Sequence, residues 1–346
     1  MGVWIMQRIV LISCAMLAVT LSGQHKPWTW QYQWSFSSEQ MIQHAMKKEL
    51  ILSKTDTPAF TQLIFSWNAL RPRKGHYAFY VQVRSKKKQC WSKWHKAVEW
   101  GARVQKSYES SADDVCRYVY VRLETENGDK ADAFRIKVIA HDTDMSGIKH
   151  MIINISDLTE FTYEQIIPGT FASVMMPNVP QKSQLILEHE NNRMMCSPTS
   201  CSMLLEYIME HKIDPLEFAE RAYDHGLCAY GSWPFNMAHA FECAGENVLC
   251  YATRLPSFAK LHEKLIEGIP VAVSVRGMIV GAPKEYENGH LLVVIGYDAA
   301  LHKIICHDPA APTNEQTLKE YDMHSFMRAW DRSRRLSYII SSHKRY

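Results

Sequence analysis

The sequence lacks a strong excess of charge of either sign. Its 346 residues include 39 lysine and arginine residues and 36 aspartate and glutamate residues, which gives a formal net charge of +3. The local basic runs at 71–74 and 84–88 are typical of solvated loops. The composition therefore gives no reason to expect a nucleic-acid partner.

The sequence also lacks an apolar run long enough to cross a membrane as a helix. The N-terminal run, 9–21, has about 13 residues, whereas a spanning helix needs roughly 20. Arg8 precedes this run, and the small residues Ser22 and Gly23 follow it, in the order of a cleaved signal peptide. No cysteine lies just after it to carry a lipid. We expect a secreted or cell-envelope protein with no transmembrane segment after signal removal.

Nine cysteines are present, and Cys14 falls inside the predicted signal peptide. Export permits disulfides, so the other thiols are expected either to pair or to be buried as small apolar side chains. Cys90 and Cys116 both adjoin aromatic, strand-like segments, which makes them the first pair to test as a disulfide.

The first half of the chain favours strands. Several segments are rich in β-branched and aromatic residues, namely 62–67, 76–84, 116–124, 131–140 and 149–155. Alternation within 116–124 predicts that Val119, Val121 and Leu123 share one face. Asn127-Gly128 readily supplies the positive φ values of a tight hairpin turn. Short strands separated by turns predict an antiparallel β-sandwich.

Four tryptophans of this region have two interpretations. They could form a carbohydrate-binding face, but inward-facing aromatic residues of a strand core are the commoner case, and we favour that reading. The four are Trp67, Trp91, Trp94 and Trp100.

The second half of the chain has a different pattern. Residues 198–211 predict an amphipathic helix, and helical patterns recur at 215–223 and 257–267. Two strongly apolar segments, 291–297 and 303–307, follow and predict strands. Helices followed by a sheet indicate an α+β fold.

This change of pattern predicts the domain organisation. We expect a signal peptide at 1–23, a β-sandwich-like domain at 24–156, a linker at 157–182 with its prolines and Gly169, and a second domain at 183–346.

Cys196 lies at the start of the first predicted helix. Pro198 suits the first helical position and Ser197 suits the cap before it. Unpaired N–H groups and the helix dipole at such a position favour the thiolate, the nucleophilic form of cysteine. A structural role is the ordinary alternative for a lone cysteine.

A predicted hairpin brings a base and an acid together. If 291–297 and 303–307 pair around a turn centred near Ala299, His290 lies directly opposite Asp308 on the same face, with Cβ atoms roughly 5 Å apart. A register shift of one residue would remove that pairing. Cys196, His290 and Asp308 would then act as nucleophile, base and orienting acid. Asp298 is the second candidate acid, at the far end of the strand.

Acyl transfer also needs donors for the developing oxyanion. The backbone N–H of Cys196 is one natural donor. Gln184 is the side-chain candidate, and Gln181, Asn191 and Asn192 compete with it.

The order of several motifs resembles a known family. It is similar to the exported branch of bacterial cysteine peptidases related to the double-glycine leader peptidases, the C39-like members of the papain-like superfamily. The resemblance covers about residues 180–340 and is carried by Ser183-Gln184, Cys196-Ser197-Pro198-Thr199-Ser200, Gly231-Ser232-Trp233-Pro234-Phe235-Asn236, Gly281-Ala282-Pro283, Gly289-His290-Leu291-Leu292 and His307-Asp308-Pro309-Ala310-Ala311-Pro312.

The resemblance implies a papain-like cysteine peptidase domain behind the sandwich-like one. It implies thiol-based hydrolysis of peptide or other amide bonds through an acyl-enzyme, without cofactor or metal. It places the nucleophile at Cys196, the base at His290, the acid at Asp308 and the oxyanion donor at Gln184. Residues 185–195 make the spacing from Gln184 longer than is usual in papain-like enzymes. By the same resemblance, 233–236 shapes the substrate cleft, or else is a packed aromatic loop.

Three alternatives stay open from the sequence. The thiol could serve an amidase or an acyltransferase, or the chain could be a catalytically silent surface-binding protein. Metal binding is disfavoured because spacings such as Cys196–Cys201 do not match paired zinc ligands. The expected partners are a peptide or amide substrate and, through the N-terminal domain, a cell-envelope polymer or protein.

Overall fold

The computed structural model describes residues 27–37, 40, 48–109 and 111–342. The predicted signal peptide lies outside these residues. Within them the protein is a mixture of helices and mostly antiparallel sheets. No helix of this part of the chain is long and apolar enough to cross a membrane.

The first half forms two antiparallel sheets. One has the order β1-β11-β3-β9-β8-β7 and the other the order β2-β10-β4-β5-β6. The strands are β1 (Thr29–Ser35), β2 (Glu49–Lys54), β3 (Gln62–Ala69), β4 (His76–Ser85), β5 (His95–Gly101), β6 (Gln105–Ser107), β7 (Ser111–Ala112), β8 (Cys116–Val119), β9 (Arg122–Thr125), β10 (Ala131–His141) and β11 (Ile148–Ser156).

Aromatic side chains join these two sheets. Trp67 of β3 stacks on Phe79 of β4 with ring centroids 4.5 Å apart, and Trp100 meets Trp67 edge to face. Trp67 and Trp100 are fully buried, as a core role predicts. Trp91 and Trp94 are half-buried instead, beside Arg135 and Lys137. That the two sheets are a separate sandwich domain stays a prediction.

Two local predictions in this half were wrong. The predicted strand 116–124 is a hairpin, because Tyr120 and Val121 adopt positive φ values of 47° and 55° and reverse the chain between β8 and β9. Asn127 and Gly128 do have positive φ. They do not close a hairpin, however, because β9 and β10 belong to different sheets.

The second half packs helices against a third antiparallel sheet of order β13-β18-β14-β15-β16-β17, with β12 paired to β15. Its strands are β12 (Val174–Met175), β13 (Val248–Arg254), β14 (Val271–Gly277), β15 (Tyr286–Asp298), β16 (Lys303–His307), β17 (Leu318–Asp322) and β18 (Leu336–Ser342). Its helices are α1 (Cys196–Met209), α2 (Pro215–Ala222), α3 (Trp233–Ala244), α4 (Phe258–Ile266) and α5 (Met323–Arg332).

Buried polar contacts join the two halves along β3 and β13. The Asn68 side chain donates to the Cys250 carbonyl at 2.6 Å and accepts from the Cys250 amide at 3.0 Å. The Ser66 hydroxyl accepts the Ala252 amide, and the Arg254 guanidinium donates twice to Gln62. One hydrophobic core extends through both halves. The predicted boundaries at 156 and 183 stay predictions, and β12 lies inside the predicted linker.

The eight cysteines of the described residues are free thiols. The suggested pairing of Cys90 with Cys116 is therefore wrong for this structure. Cys90 is exposed, whereas Cys116 is buried in the core with its sulfur 3.3 Å from His95 Nε2. Burial raises the pKa of Cys116 to about 12, so this thiol is protonated and inert at neutral pH.

Candidate active site

Cys196 is the first residue of α1, and Met195 precedes it as the cap. The prediction placed Cys196 just before the helix and Ser197 at the cap, and that detail was wrong. The Ser197 hydroxyl instead contacts the Tyr338 hydroxyl inside the protein at 3.3 Å. Cys196 still lies at the end of α1 where the first-turn N–H groups are unpaired within the helix, so the helix dipole favours a thiolate there.

His290 lies on β15 and lines the same cavity as Cys196. Its Nε2 atom is 2.7 Å from Asp308 Oδ1, which leaves Nδ1 as the nitrogen available to the Cys196 sulfur. His290 lies close enough to Cys196 to lower the pKa of its thiol. The three side chains that the sequence singled out therefore lie together at this cavity.

The strand register behind this contact differs from the predicted one. His290 pairs with Val275 of β14, and the β15–β16 pairing begins with Val293 opposite His307. Extending that register puts Asp308 opposite Leu292, two residues along the strand from His290. A shift of two residues keeps the same face, and diagonal neighbours still reach one another through long side chains. The contact survives although the direct pairing was wrong.

Four donors hold the Asp308 carboxylate. Oδ1 accepts His290 and the Ala310 amide at 2.9 Å, and Oδ2 accepts the Tyr286 and Tyr321 hydroxyls at 2.5 and 2.6 Å. Tyr286 also stacks on the imidazole ring of His290, with centroids 4.1 Å apart. The carboxylate is fully buried, so these bonds fix its orientation.

Sequence reasoning missed both tyrosines. Tyr286 carries a usable signal, because it precedes His290 by an even number of residues on one strand and so faces the same side. Tyr321 carries none, because it reaches the site through the pairing of β16 with β17.

The three groups shift one another's pKa values in the direction opposite to the effect of burial. Burial lowers the pKa of His290, but the adjacent Asp308 charge and the hydrogen bonds to Asp308 and Cys196 raise it to about 10. Burial raises the pKa of Cys196, but the hydrogen bond and charge of His290 lower it overall. Burial likewise opposes ionisation of Asp308, yet His290 and the two tyrosines hold its pKa well below its usual range. Each of these interactions favours the charged form of its group, the thiolate of Cys196 and the imidazolium of His290.

Gln184 lines the same cavity as Cys196 and His290. Its side chain is buried, Nε2 donates to the Asn192 carbonyl at 3.0 Å, and Oε1 has no hydrogen-bond partner within the described residues. Asn192 turns its own amide to the Leu185 carbonyl, and Gln181 is exposed away from this cavity. The oxyanion role of Gln184 stays a prediction that its position favours.

The cavity in front of Cys196 has a volume of about 620 Å³. Three segments border it: 193–194, 229–231 and 283–289, the last of which includes the start of β15. The predicted motif 233–236 does not line it, because these residues form the first turn of α3 and are buried. Phe235 packs against Trp67 of the N-terminal half. The packed reading of this motif is therefore the one the structure supports.

Asp298, the second candidate acid, is remote from this site in the fold. Its Oδ1 atom accepts the Ala300 and Leu301 amides in the β15–β16 turn. This is an ordinary turn-capping role for aspartate.

A second cluster of cysteine, histidine and aspartate lies in the N-terminal half. Ligand atoms of His95, Asp113 and Cys116 lie within 4.8 Å of one another. They offer three ligands, where closed zinc sites use four. His95 Nδ1 already meets the Ser111 hydroxyl at 2.9 Å, and Asp113 accepts backbone amides such as that of Lys93 at 2.7 Å. These hydrogen bonds hold the 111–116 turn in place, which explains why the three side chains lie together.

Comparisons with known proteins address the second half of the chain. The model of the Peptidase_C39 like family matches residues 176–338. A putative C39-like peptidase from Bacillus anthracis is 16% identical with a TM-score of 0.39, over 50% of this chain and 99% of that one. Xylellain, a cysteine protease from Xylella fastidiosa, is 12% identical with a TM-score of 0.32, over 53% of this chain and 91% of that one. No curated protein matches the sequence. Residues 176–338 of the chain are therefore similar to the C39-like peptidase family.

Proposed function

We propose that the protein is a thiol hydrolase that cleaves peptide or other amide bonds, with Cys196 as nucleophile, His290 as general base and acid, and Asp308 as the orienting carboxylate. The observation that carries the proposal is the 2.7 Å contact from His290 to the fully buried Asp308, with His290 and Cys196 lining one cavity. The match of residues 176–338 to the C39-like peptidase family supports the same reaction class.

The geometry supports a two-step reaction. The Cys196 thiolate attacks the substrate carbonyl carbon, and the carbonyl π electrons move to oxygen, where the Cys196 backbone N–H and the Gln184 amide are the proposed donors. Collapse breaks the C–N bond, and the imidazolium of His290 protonates the departing amine. Neutral His290 then takes a proton from water, the hydroxide attacks the thioester, and the acid product leaves with the thiolate restored.

Replacement of the nucleophile tests this function. Cys196→Ala should abolish hydrolysis of peptides and of cell-wall-derived amides. The exposed thiol of Cys90 gives the matched control, and Cys90→Ala should retain full activity. If Cys196→Ala keeps the wild-type rate, or if Cys196 alkylates no faster than a thiol in unfolded protein, the proposal is wrong.

Including amine acceptors in the same assay identifies the bond made as well as the bond broken. A hydrolase gives only the free acid from the thioester, whereas an acyltransferase gives a new amide.

The place of action is a separate proposal, carried by the sequence of residues 1–23. We propose export to the cell envelope or the medium, where the N-terminal half would meet a polymer or protein partner. Mass spectrometry of the native N-terminus tests this, and an intact Met1 on the mature protein would contradict it.

A further inference from the structure

One wall of the catalytic cavity is a short loop that starts at a fully buried aspartate. We call residues 224–231 the wall loop. Its last three residues, Ala229, Tyr230 and Gly231, line the cavity with Cys196 and His290. Asp224 and Ala229 exchange two backbone hydrogen bonds, of 2.9 and 3.2 Å, across its base. The contacts that hold Asp224 in place therefore also hold the cavity-lining residues in place.

Half of the four hydrogen bonds to the Asp224 carboxylate come from the N-terminal half. Ser107 of β6 donates its backbone amide to Asp224 Oδ1 at 3.0 Å and its hydroxyl to Oδ2 at 2.6 Å. Oδ1 also accepts the Gly226 amide at 2.8 Å. A buried carboxylate with this many donors is rigid, and loss of one donor leaves an unsatisfied charge.

Gln105 of the same strand holds both the wall loop and the residues just before it. Its side chain donates to the backbone carbonyls of Arg221 and Tyr223 at 2.7 and 2.9 Å, and its backbone carbonyl accepts the amide of His225 in the loop. Gly226 packs so closely that a Cβ there would lie 2.0 Å from the Ser107 carbonyl oxygen. Glycine is required at this position because the two backbones touch.

The wall loop also contacts the segment 185–195, whose length departs from the family spacing. The Tyr230 hydroxyl lies 3.4 Å from His189 Nε2, and the two rings meet edge to face at 5.8 Å. Arg193 and Met194 at the end of that segment line the cavity. A continuous path of contacts thus leads from β6 through the wall loop to the segment beside Cys196.

We propose that Ser107 and Gln105 are positioning residues for substrate binding, so that the N-terminal half is a structural part of the substrate cleft and not an independent appendage. The inference rests on the proposed function only where it is tested by enzyme kinetics. Neither residue touches the Cys196–His290–Asp308 contacts, so the effect falls on substrate binding and leaves the reactivity of the thiol unchanged.

Two variants of the full chain test the proposal. Ser107→Ala removes one donor to a buried carboxylate and should raise KM for a peptide substrate about tenfold. Gly226→Ala forces the loop away from Ser107 and should raise KM further. The rate and pH profile of Cys196 alkylation by iodoacetamide should stay at wild-type values in both. Amide hydrogen exchange at 224–231 should become faster.

The matched control is Ser85→Ala, which removes an equally buried serine that bonds Asp129 within the N-terminal half. It should leave KM and exchange at 224–231 unchanged. If Ser107→Ala behaves as Ser85→Ala does, the proposal is overturned. If the wild-type protein cleaves nothing, only the proposed function is wrong. If amide hydrogen exchange at 224–231 is unchanged in Ser107→Ala, the positioning role is wrong, whatever the protein cleaves.

Discussion

At the scale of single residues, Asp308 raises the pKa of His290. Its negative charge is a main reason that the pKa of His290 rises to about 10. In Asp308→Asn that charge is lost, so the His290 pKa falls and the imidazolium deprotonates at lower pH. The alkaline limb of Cys196 alkylation should therefore move down by about one pH unit or more. Alkylation rates measured across pH check this.

Asp298→Asn is the control for that experiment, because Asp298 only caps the β15–β16 turn. Its alkaline limb should coincide with that of the wild type. An unshifted limb in Asp308→Asn would mean that another group sets the pKa of His290.

The hydroxyls of Tyr286 and Tyr321 act on Asp308 in turn. Tyr286→Phe keeps the ring that stacks on His290 but removes a hydrogen bond to a buried carboxylate. It should lower the free energy of unfolding by about 1–3 kcal/mol and reduce kcat/KM. Denaturant titration and steady-state kinetics measure the two effects.

Tyr297 provides the comparison, since it is a buried tyrosine of the same strand whose hydroxyl bonds His302 away from the site. Tyr297→Phe should lower the free energy of unfolding but leave kcat/KM unchanged. Equal kinetic losses in both variants would contradict a specific role for Tyr286.

At the scale of elements, Gly296 marks an irregularity in β15. The β15–β16 register shifts between Val294 and Gly296, and a Cβ at Gly296 would lie 2.5 Å from the Val174 carbonyl oxygen of β12. Gly296→Ala should therefore separate β12 from β15 and lower the free energy of unfolding by about 1–3 kcal/mol. Gly231→Ala, where an added Cβ meets no atom within 4 Å, should be nearly neutral in the same denaturation assay.

The same irregularity explains how far sequence could predict the site. Helix 215–223 and strand 303–307 follow from local patterns, and the structure has Pro215–Ala222 and Lys303–His307. The face shared by His290 and Asp308 was predictable because alternation fixes faces. The register was not, because a bulge depends on neighbouring strands. Tyr321 and the wall loop depend on contacts distant in sequence, which no local pattern encodes.

At the scale of the whole molecule, the two halves share buried polar groups. Asn68→Ala would leave both the amide and the carbonyl of Cys250 unpaired in the interior. It should lower the free energy of unfolding by about 2 kcal/mol or more.

Because the core is continuous, the two halves should unfold together. Tryptophan fluorescence and loss of Cys196 reactivity should therefore follow one coincident transition. Two separate transitions would contradict the shared core. For the Asn68 variant, Asn178→Ala at an exposed position is the control and should leave the free energy of unfolding unchanged.

The position of β18 has a consequence for biosynthesis. This strand, Leu336–Ser342, lies between β13 and β14 in the sheet, so the sheet cannot close until residues far downstream of Cys196 have left the ribosome. A nascent chain carries the cysteine before it carries Asp308, and before the strand that completes the sheet under His290. Until then Cys196 lacks the His290 side chain that lowers the pKa of its thiol. The lowered pKa is therefore a property of the finished fold and not of the nascent chain.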